Sequence, residues 1–473
     1  MGSETTNIGR SVRRLEDAAL LTGRGRFIDD LPEPRGCLHA AILRSPHAHA
    51  ELLAIDAGAA LAMEGVAAVV TRDQVTALTR PFTVGVRAPM QHWCLAVDRV
   101  RYVGEPVAVV LARDRYIAED ALERIRVEYR PLPPCVDPEL AAGPDAPVLH
   151  EKVGSNIVSD RSFAYGDPER AFAEADRIVG LTIRYPRNSV TPIETFGLIA
   201  QYRPDEGGYE VDTHFQGPFA LHPVMALALQ VRGPKLRIRT PPDSGGSFGV
   251  KQGITPFVVL MCVAARHAGR PVKWIEDRLE HLLAASSATN RVTRIEAAVK
   301  ADGSVTALRY DQIEDCGAYL KAPEPATLYR MHGTLTGAYR IANLAVRNRV
   351  VLTNKTPSGL NRGFGGPQVY YALERLMHVV ADALGLDRLE VIRRNLVPPE
   401  AMPYRAAAGS LYDSGDYPAA VEHAVREGGL AELQARRAEA RAAGRLYGIG
   451  LTAVVEPSVS NMGYITTVLT AEE

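Results

Sequence analysis

Two glycine-rich loops carry the residues of this sequence that are best suited to binding a ligand. The first, loop A (residues 243–251, DSGGSFGVK), follows the strand-like run LRIR and precedes an apolar helical stretch. Glycines let backbone N–H groups approach a ligand closely, and a helix N-terminus favours an anion, so loop A suits a phosphate-like group. It is not a Walker A loop, because Lys251 is preceded by Val250 and followed by Gln252. An ordinary tight turn between a strand and a helix is the alternative interpretation.

The second loop, loop B (residues 358–368, SGLNRGFGGPQ), has the same design, with a phenylalanine between glycines and a helical stretch directly after it. Its glycines are set too closely for the GxGxxG fingerprint of dinucleotide-binding folds. The planar guanidinium group of Arg362 is permanently charged and suits an anionic ligand, although a loop arginine is often only solvated. Two Phe-Gly loops at helix starts indicate one shared ligand. The alternative is that Phe248 and Phe364 simply anchor the core.

Gln216, in the segment HFQGP (214–218), is a third candidate. Its amide N–H can donate to an oxo or pterin group, and its carbonyl oxygen can accept from the N–H groups of a pterin. Alone such a glutamine would indicate nothing, so it gains meaning only beside loops A and B.

Helices and strands must hold these loops in place. Apolar periodicity predicts a helix after each loop, over residues 254–267 and 367–384. The sequence ADG at 301–303, between two alternating runs, predicts a β-hairpin because Asp-Gly suits a tight turn. Further helical stretches are predicted over 167–176 and 417–443, and an apolar strand from residue 448.

The order of these signals predicts an α+β protein with more than one domain. Residues 1–130 alternate short β-branched runs with helical ones, and residues 131–160 form a Pro/Gly-rich linker. Residues 161–445 form a second domain that contains both loops. Residues 446–473 begin a further unit that is too short to fold alone.

The composition of the chain excludes several classes of binding partner. The chain of 473 residues has 54 Lys plus Arg and 55 Asp plus Glu, a formal charge of -1, so it has no basic footprint for nucleic acid or an anionic membrane. Its five cysteines are scattered without the spacing of a zinc or iron-sulfur site and suit reduced thiols in the cytoplasm. No apolar run reaches the roughly 18 residues of a membrane span. The Arg pair at 13–14 is followed by LED rather than by an apolar export signal.

Eleven short motifs follow one another along the chain. They are RLED (14–17), LTGRGRFIDD (21–30), RSPHAH (44–49), YVGEPVA (102–108), PIET (192–195), QGP (216–218), PDSGGSFGVK (242–251), DCGAY (315–319), RGFGGPQ (362–368), RRN (393–395) and YDSGD (412–416). Taken in this order, they resemble those of the molybdenum-binding subunit of the xanthine dehydrogenase family, which includes aldehyde oxidoreductases, carbon monoxide dehydrogenase and N-heterocycle hydroxylases. The N-terminal part resembles the family's α/β hammerhead domain, and the remainder resembles its first molybdopterin-binding domain.

The resemblance implies a site built around a molybdenum-molybdopterin cofactor, either plain or in its cytosine dinucleotide form. The residues that it places at the cofactor are Gln216, Gly246, Ser247, Phe248, Gly249 and Arg362. Of these, Gln216, Phe248 and Arg362 should lie beside the molybdenum without ligating it, because the cofactor's dithiolene holds the metal. Gln252 and Phe364 should face the substrate.

The implied activity is hydroxylation of an electron-poor carbon with water as the oxygen source. A glutamate acts as the base and hydride passes to the cofactor. Electrons then leave through 2Fe-2S clusters to FAD, which the resemblance places on partner subunits because this chain has no cysteine set for such clusters. An N-heteroaromatic ring is the preferred substrate, since Phe364 is retained as a flat wall, and an aldehyde is the next.

Departures from the family pattern narrow the range of substrates and reactions that we expect. Gln252 stands where purine-oxidising members have Glu, which disfavours substrates that need a carboxylate there. Gly363 stands where carbon monoxide dehydrogenase has its copper-binding cysteine, which disfavours that reaction. Ser247 replaces a glycine, which is tolerable if its φ and ψ are ordinary.

The largest departure concerns the catalytic glutamate, which in the family lies in a Gly-Glu-Pro segment near the C-terminus of a much longer subunit. Glu105, in the segment GEP (104–106), matches a structural segment of the hammerhead region. Glu194 matches a position that is not the base. We therefore assign no catalytic residue to this chain and expect the base glutamate on a partner.

These features predict the N-terminal half of a split molybdenum subunit that is inactive when isolated. Residues 446–473 would start a second cofactor-binding domain that another chain completes, and iron-sulfur and FAD subunits would complete the complex. The alternative from another class is a non-catalytic scaffold or cofactor-carrying relic that kept the loops and lost the base. A shortened form of a longer subunit is a third interpretation.

Overall fold

The computed structural model describes residues 7–82, 90–321 and 325–457. Its strands, in chain order, are β1 (Leu38–Arg44), β2 (Ala50–Asp56), β3 (Val66–Val70), β4 (Arg99–Val100), β5 (Pro106–Ala112), β6 (Arg126–Pro131), β7 (Ile157–Tyr165), β8 (Arg177–Tyr185), β9 (Gly197–Arg203), β10 (Gly208–Thr213), β11 (Leu236–Arg239), β12 (Val272–Ile275), β13 (Asn290–Val299), β14 (Val305–Asp315), β15 (Asn343–Val351), β16 (Tyr404–Arg405) and β17 (Leu411–Tyr412).

The helices complete the described elements. They are α1 (Asp17–Leu21), α2 (Gly58–Leu61), α3 (Arg72–Leu78), α4 (Arg115–Leu122), α5 (Pro138–Ala141), α6 (Pro168–Ala173), α7 (Pro218–Ala228), α8 (Thr255–Ala268), α9 (Arg278–Ala284), α10 (Ala326–Tyr329), α11 (Gly366–Leu384), α12 (Arg388–Asn395), α13 (Tyr417–Glu427) and α14 (Leu430–Ala442), with 3-10 turns at Gly233–Lys235, Val250–Ile254, His332–Thr334 and Pro399–Ala401.

A seven-stranded mixed sheet joins the two predicted domains. Its strand order is β11-β10-β9-β12-β1-β5-β3, so strands from residues 1–130 and from residues 161–445 share one hydrogen-bonded layer. Strand β1 pairs in parallel with β12, with Leu38 opposite Val272. The predicted linker at 131–160 contains helix α5 and the start of β7. The domain boundaries stay predictions, but the two regions meet through a continuous sheet rather than through a loose linker.

The sheet is covered on both faces, as the sequences of its strands require. Strand β5, with the sequence PVAVVLA, is buried along its whole length, which is typical of a strand between two layers. Helix α8 packs against β9, and helix α4 packs against β1 and β5. The apolar run of α8, residues 257–265, is buried throughout, which confirms the helix predicted after loop A. Helix α8 therefore fixes the C-terminal side of loop A.

A five-stranded sheet, ordered β7-β15-β14-β13-β8, positions loop B. The predicted hairpin is confirmed: β13 and β14 pair antiparallel, and Gly303 has a φ of 89° in the turn between them. Helix α11 packs across β8 and β13 and begins where loop B ends, which confirms the second predicted helix. Two small sheets, β4-β2-β6 and β16-β17, lie outside these layers.

Three predictions about secondary structure differ from the structure. Helix α6 ends at Ala173 rather than near residue 176, because the Asp176 N–H joins the sheet by donating to the Val299 carbonyl (3.0 Å). The stretch 417–443 forms two helices, since Gly428 and the left-handed Gly429 (φ 62°) interrupt it. Residues 448–457 form no strand.

The apolar alternation at the end of the described chain has another cause. The side chains of Leu451, Ala453 and Val455 pack against the core beneath helix α11. The Ala453 N–H donates to Glu374 Oε2 of that helix (2.9 Å). The segment therefore lies extended against a helix, and period-two burial arises there without strand pairing.

A buried hydrogen-bonded pair, Glu105 and Tyr319, links the two regions. The Tyr319 hydroxyl donates to Glu105 Oε1 (2.7 Å), and the Arg101 N–H donates to Oε2 (2.5 Å). The His92 ring stacks on Tyr319 with 4.4 Å between centroids. Both carboxylate oxygens of Glu105 are therefore engaged, which agrees with a structural role. Burial raises the pKa of Glu105 to about 7, against the pull of Tyr319 and Arg101.

We expect Tyr319→Phe to destabilise the protein more at pH 8 than at pH 5. Glu105 is protonated in the folded state below its raised pKa, so the ionised form, which depends most on the tyrosine donor, is present only above about pH 7. The loss should be about 1 kcal/mol at pH 5 and up to about 3 kcal/mol at pH 8. Urea unfolding at both pH values measures it. Tyr412→Phe is the control, because that hydroxyl donates to the Gly337 carbonyl (2.8 Å); equal pH dependence of both variants would contradict the prediction.

Candidate cofactor-binding site

The carboxylate of Glu194 holds loop A in place. Its Oε2 accepts the N–H of Gly245 (3.0 Å) and forms an ion pair with the Lys251 ammonium, so it ties both ends of the loop. Its Oε1 accepts the N–H of Ile28 (3.2 Å) from the N-terminal region. Lys251 is 2% exposed, and burial lowers the pKa of its ammonium group while Glu194 opposes that shift. Glu194 is therefore an anchor with its charge already compensated.

Loops A and B share a strained backbone conformation. Phe248 and Phe364 have left-handed φ values of 52° and 34°, and the glycines that follow them have 112° and 85°. A left-handed residue other than glycine costs on the order of 1–3 kcal/mol, and such strain concentrates at functional sites. Phe248 is 47% exposed and Phe364 is half-buried. Both loops thus hold an aromatic ring at a position that the backbone alone would not favour.

The two loops contact each other directly. A Cβ on Gly249 would lie 2.8 Å from the carbonyl carbon of Leu360 in loop B. The guanidinium carbon of Arg362 lies 5.1 Å from the centroid of the Phe248 ring, in a cation–π arrangement. The structure therefore brings together the two loops that were expected to share a ligand, and it leaves Arg362 exposed.

Gly249→Ala is expected to destabilise the protein by about 1–3 kcal/mol through backbone strain, with a further cost from the clash at Leu360. The φ of 112° is unfavourable for alanine, and the backbone of Leu360 cannot move aside like a flexible side chain. Urea unfolding measures the change. Gly385→Ala is the matched control, since Gly385 has a φ of 70° and an added methyl group there would meet no atom within 4 Å. A loss in Gly249→Ala that is no larger than in the control would contradict the close contact of the loops.

Gln216 lies at loop A. The Ser247 hydroxyl donates to Gln216 Oε1 at 2.5 Å, and Gln216 itself is exposed. Gln216 follows strand β10 and precedes helix α7, whose N-cap Gly217 has a φ of 67°. Ser247 has no left-handed φ, so the condition under which a serine can replace glycine here is met for φ.

The two residues expected to face the substrate lie in different surroundings. Phe364 lies in loop B in a small pocket that Asn361, Arg362 and Gln368 also line. Gln252 is only 8% exposed, in the 3-10 turn Val250–Ile254, and within the described residues its Oε1 has no hydrogen-bond partner. A contact of either side chain with substrate stays a prediction.

Arg330 is a residue of the site that sequence reasoning missed. Its Nη1 donates to the carbonyls of Gly363 (2.8 Å) and Phe364 (3.2 Å), and its guanidinium carbon lies 5.9 Å from the Phe364 ring centroid. Its Nη2 donates to Glu456 Oε1 (2.6 Å). Arg330 lies 33 positions before Gly363, outside any glycine loop, so no local pattern marks it.

The surface formed by loops A and B offers hydrogen-bond donors and positive charge. Arg362 is exposed, while the charge of Glu194 is compensated by Lys251. In loop A the N–H groups of Gly246 and Gly249 already donate to Ser244 and Ser247 Oγ, whereas those of Ser247 and Phe248 have no acceptor within the described residues. This donor set fits an anionic cofactor that carries its own metal, such as molybdenum-molybdopterin. In the described ranges, no three His, Cys, Asp or Glu side chains are grouped so as to hold a metal ion.

No helix within residues 7–82, 90–321 and 325–457 has both the length and the apolar character needed to span a membrane.

Family models match the chain in the expected order. The model for the a/b hammerhead domain of aldehyde oxidase and xanthine dehydrogenase matches residues 22–133. The model for the molybdopterin cofactor-binding domain matches residues 149–396, which is more than half of the chain. The predicted fold class, a hammerhead domain followed by a molybdopterin-binding domain, is confirmed.

Known proteins of similar sequence and structure support the same family. The chain is 35% identical to the carbon monoxide dehydrogenase large chain of Hydrogenophaga pseudoflava, covering 93% of this chain and 57% of the relative. It is 33% identical to the nicotine 6-hydroxylase large subunit of Paenarthrobacter nicotinovorans, covering 96% and 56%. The structure of quinoline 2-oxidoreductase from Pseudomonas putida 86 matches with a TM-score of 0.87 at 35% identity, covering 93% and 56%. The chain thus spans a little over half the length of these relatives. It belongs to the molybdopterin-binding subunits of the xanthine dehydrogenase and aldehyde oxidase family.

Proposed function

We propose that this chain forms one side of the cofactor site of a molybdenum hydroxylase that oxidises an electron-poor carbon, with an N-heteroaromatic ring preferred over an aldehyde. The observation that carries the proposal is the direct contact of loops A and B, with the exposed Arg362 against the Phe248 ring. The names of two relatives, nicotine 6-hydroxylase and quinoline 2-oxidoreductase, support a ring substrate.

Each candidate residue has a role that its surroundings support. Arg362 and the segment 246–249 would hold the molybdenum-molybdopterin, in its plain or cytosine dinucleotide form, through the N–H groups of Ser247 and Phe248, because those of Gly246 and Gly249 already donate to serine hydroxyls. Gln216 would hydrogen-bond to it beside the metal. When bound, this cofactor supplies a two-electron oxidation with oxygen from water. Phe364 would stack against a flat substrate, and the neutral Gln252 would hydrogen-bond to it without adding charge.

We assign no base to the described residues. Glu194 is engaged by Lys251 and two backbone N–H groups, and Glu105 is engaged by Tyr319 and Arg101. The base glutamate would come from the part of the relatives' fold that these 473 residues do not span, with 2Fe-2S and FAD subunits carrying the electrons away. We expect the isolated chain to be inactive. The five cysteines are widely scattered along the sequence, which supports a reducing compartment such as the cytoplasm.

Purification of the chain with its native partners tests the proposal. The purified complex should contain molybdenum and pterin, and it should oxidise members of a panel of N-heteroaromatic rings and aldehydes with an artificial electron acceptor. A complex that contains the cofactor but oxidises nothing in the panel would favour a carrier or relic. A lone chain with a full complement of cofactor that turns over would overturn the need for a partner. A complex without molybdenum or pterin would refute the cofactor assignment itself.

A further inference from the structure

We propose that Ser247 is a positioning residue that fixes the Gln216 side chain with its N–H groups, and not its carbonyl, turned towards the bound cofactor. This inference rests on the proposed function for its consequence, because it concerns how Gln216 meets the cofactor. The orientation itself follows from contacts within this chain. Ser247 stands where the family pattern has glycine. A loop with that glycine lacks the hydroxyl that orients the Gln216 amide.

The hydroxyl of Ser247 has its acceptor capacity filled. Its Oγ accepts the N–H of Gly249 and the N–H of Lys251, each at 3.2 Å, and so caps the 3-10 turn that follows. A serine hydroxyl has two lone pairs and one proton. With both lone pairs engaged, the proton must be donated, and the partner is Gln216 at 2.5 Å.

The two ends of the Gln216 amide are not equivalent in this setting. If its nitrogen faced Ser247, an N–H would point at an oxygen whose lone pairs are already engaged, and the hydroxyl proton would lose its acceptor. With its oxygen facing Ser247, every group is paired. The Ser247 bond therefore decides an orientation that the shape of the amide alone leaves open.

The consequence is a donor of fixed direction. The Gln216 nitrogen turns away from Ser247, and within the described residues no hydrogen bond engages it. Gln216 is exposed where it contacts loop A, and the next residue of that loop, Phe248, is 47% exposed and contacts Arg362. A side chain that presents only N–H groups selects a hydrogen-bond acceptor, such as a terminal oxygen ligand, and disfavours a group that donates.

The orientation can be observed directly. A joint neutron and X-ray structure of the deuterium-exchanged wild-type protein distinguishes the amide oxygen from the deuterated nitrogen. We expect the oxygen of Gln216 to face Ser247 Oγ. A deuterated nitrogen facing Ser247 would overturn the inference, whether or not the protein carries molybdenum. This arm therefore stays decisive even if the proposed function fails.

The effect on the cofactor is tested in the purified complex with Ser247→Ala, Ser247→Thr and Gln216→Glu. In Ser247→Ala, kcat per molybdenum should fall about tenfold with KM within about twofold, and the electron paramagnetic resonance signal of Mo(V) should shift. Ser247→Thr keeps the hydroxyl, so it should have the wild-type kcat per molybdenum and the wild-type Mo(V) signal. Gln216→Glu keeps the acceptor for Ser247 but removes the N–H groups, so it should resemble Ser247→Ala.

A purely structural role for Ser247 gives a different result. Ser247→Ala would then lower the molybdenum content and the total activity in proportion, with unchanged kcat per molybdenum and an unchanged Mo(V) signal. That outcome would overturn the positioning role. A wild-type complex without molybdenum would instead refute the proposed function and leave the neutron result to decide the orientation.

Discussion

Replacing Arg362 by alanine is expected to weaken cofactor retention on the order of 10- to 100-fold, so that the purified complex loses most of its molybdenum and pterin. Hydrogen bonds from a guanidinium to an anionic group are among the strongest that a side chain makes. Arg362 is exposed at the junction of loops A and B, and its side chain also stacks on Phe248. The alanine variant therefore loses a charge and also a contact between the loops. Metal analysis and pterin fluorescence of the purified complex measure the loss.

Two further variants separate these effects. Arg362→Lys keeps the positive charge but lacks the planar guanidinium group. We expect its cofactor retention to lie between that of the wild type and that of Arg362→Ala. Phe248→Leu removes the aromatic ring beneath the guanidinium and should reduce retention less than Arg362→Ala, because the charge remains. Unchanged molybdenum content in Arg362→Ala, with the complex intact, would show that Arg362 does not hold the cofactor.

Glu314→Gln is expected to destabilise the protein by about 3–5 kcal/mol, because it leaves a buried guanidinium without its counter-charge. Arg291 and Glu314 face each other across β13 and β14, and both side chains are 0% exposed. Two hydrogen bonds join them, at 2.6 and 3.1 Å, and Arg291 also donates to the Thr327 carbonyl (3.1 Å). Urea unfolding at pH 7 measures the cost.

The same hairpin supplies a matched control. Glu296 and Arg309 form a second cross-strand pair at 3.0 Å, with side chains 44% and 37% exposed. Glu296→Gln should cost less than about 1 kcal/mol, because an exposed pair is screened by water. The double variant Arg291→Met with Glu314→Leu should be more stable than Glu314→Gln, since no buried charge remains unpaired. Equal losses in the two glutamine variants would contradict the role of burial.

Local chemistry made part of this molecule predictable. Asp302 and Gly303 indicated the hairpin, because the turn they favour involves neighbouring residues only. The two Phe-Gly loops were predicted to lie at helix starts, and helices α8 and α11 do follow them, whereas the left-handed φ values of Phe248 and Phe364 were not predicted. The helices after the loops were predicted to within about two residues, since long apolar periodicity is a strong signal.

Contacts between distant residues were not predictable in the same way. Glu194 anchors loop A and binds Ile28, which lies 166 positions away, and Arg330 holds loop B from outside its motif. Strand β1 pairs with β12, which lies far along the chain from it. These contacts depend on how the chain packs, and a single sequence carries no periodic or local signal of them.

The shared seven-stranded sheet limits how such subunits can be recombined. A chimera that exchanges residues 1–130 for those of a relative also exchanges β1, β3 and β5, and so creates a new junction between β1 and β12 in the middle of a sheet. The foreign β1 must present a matching row of N–H and C=O groups to β12 and a face that packs against helix α4. The hammerhead region and strand β12 must therefore match each other in any such chimera, although they are far apart in the gene.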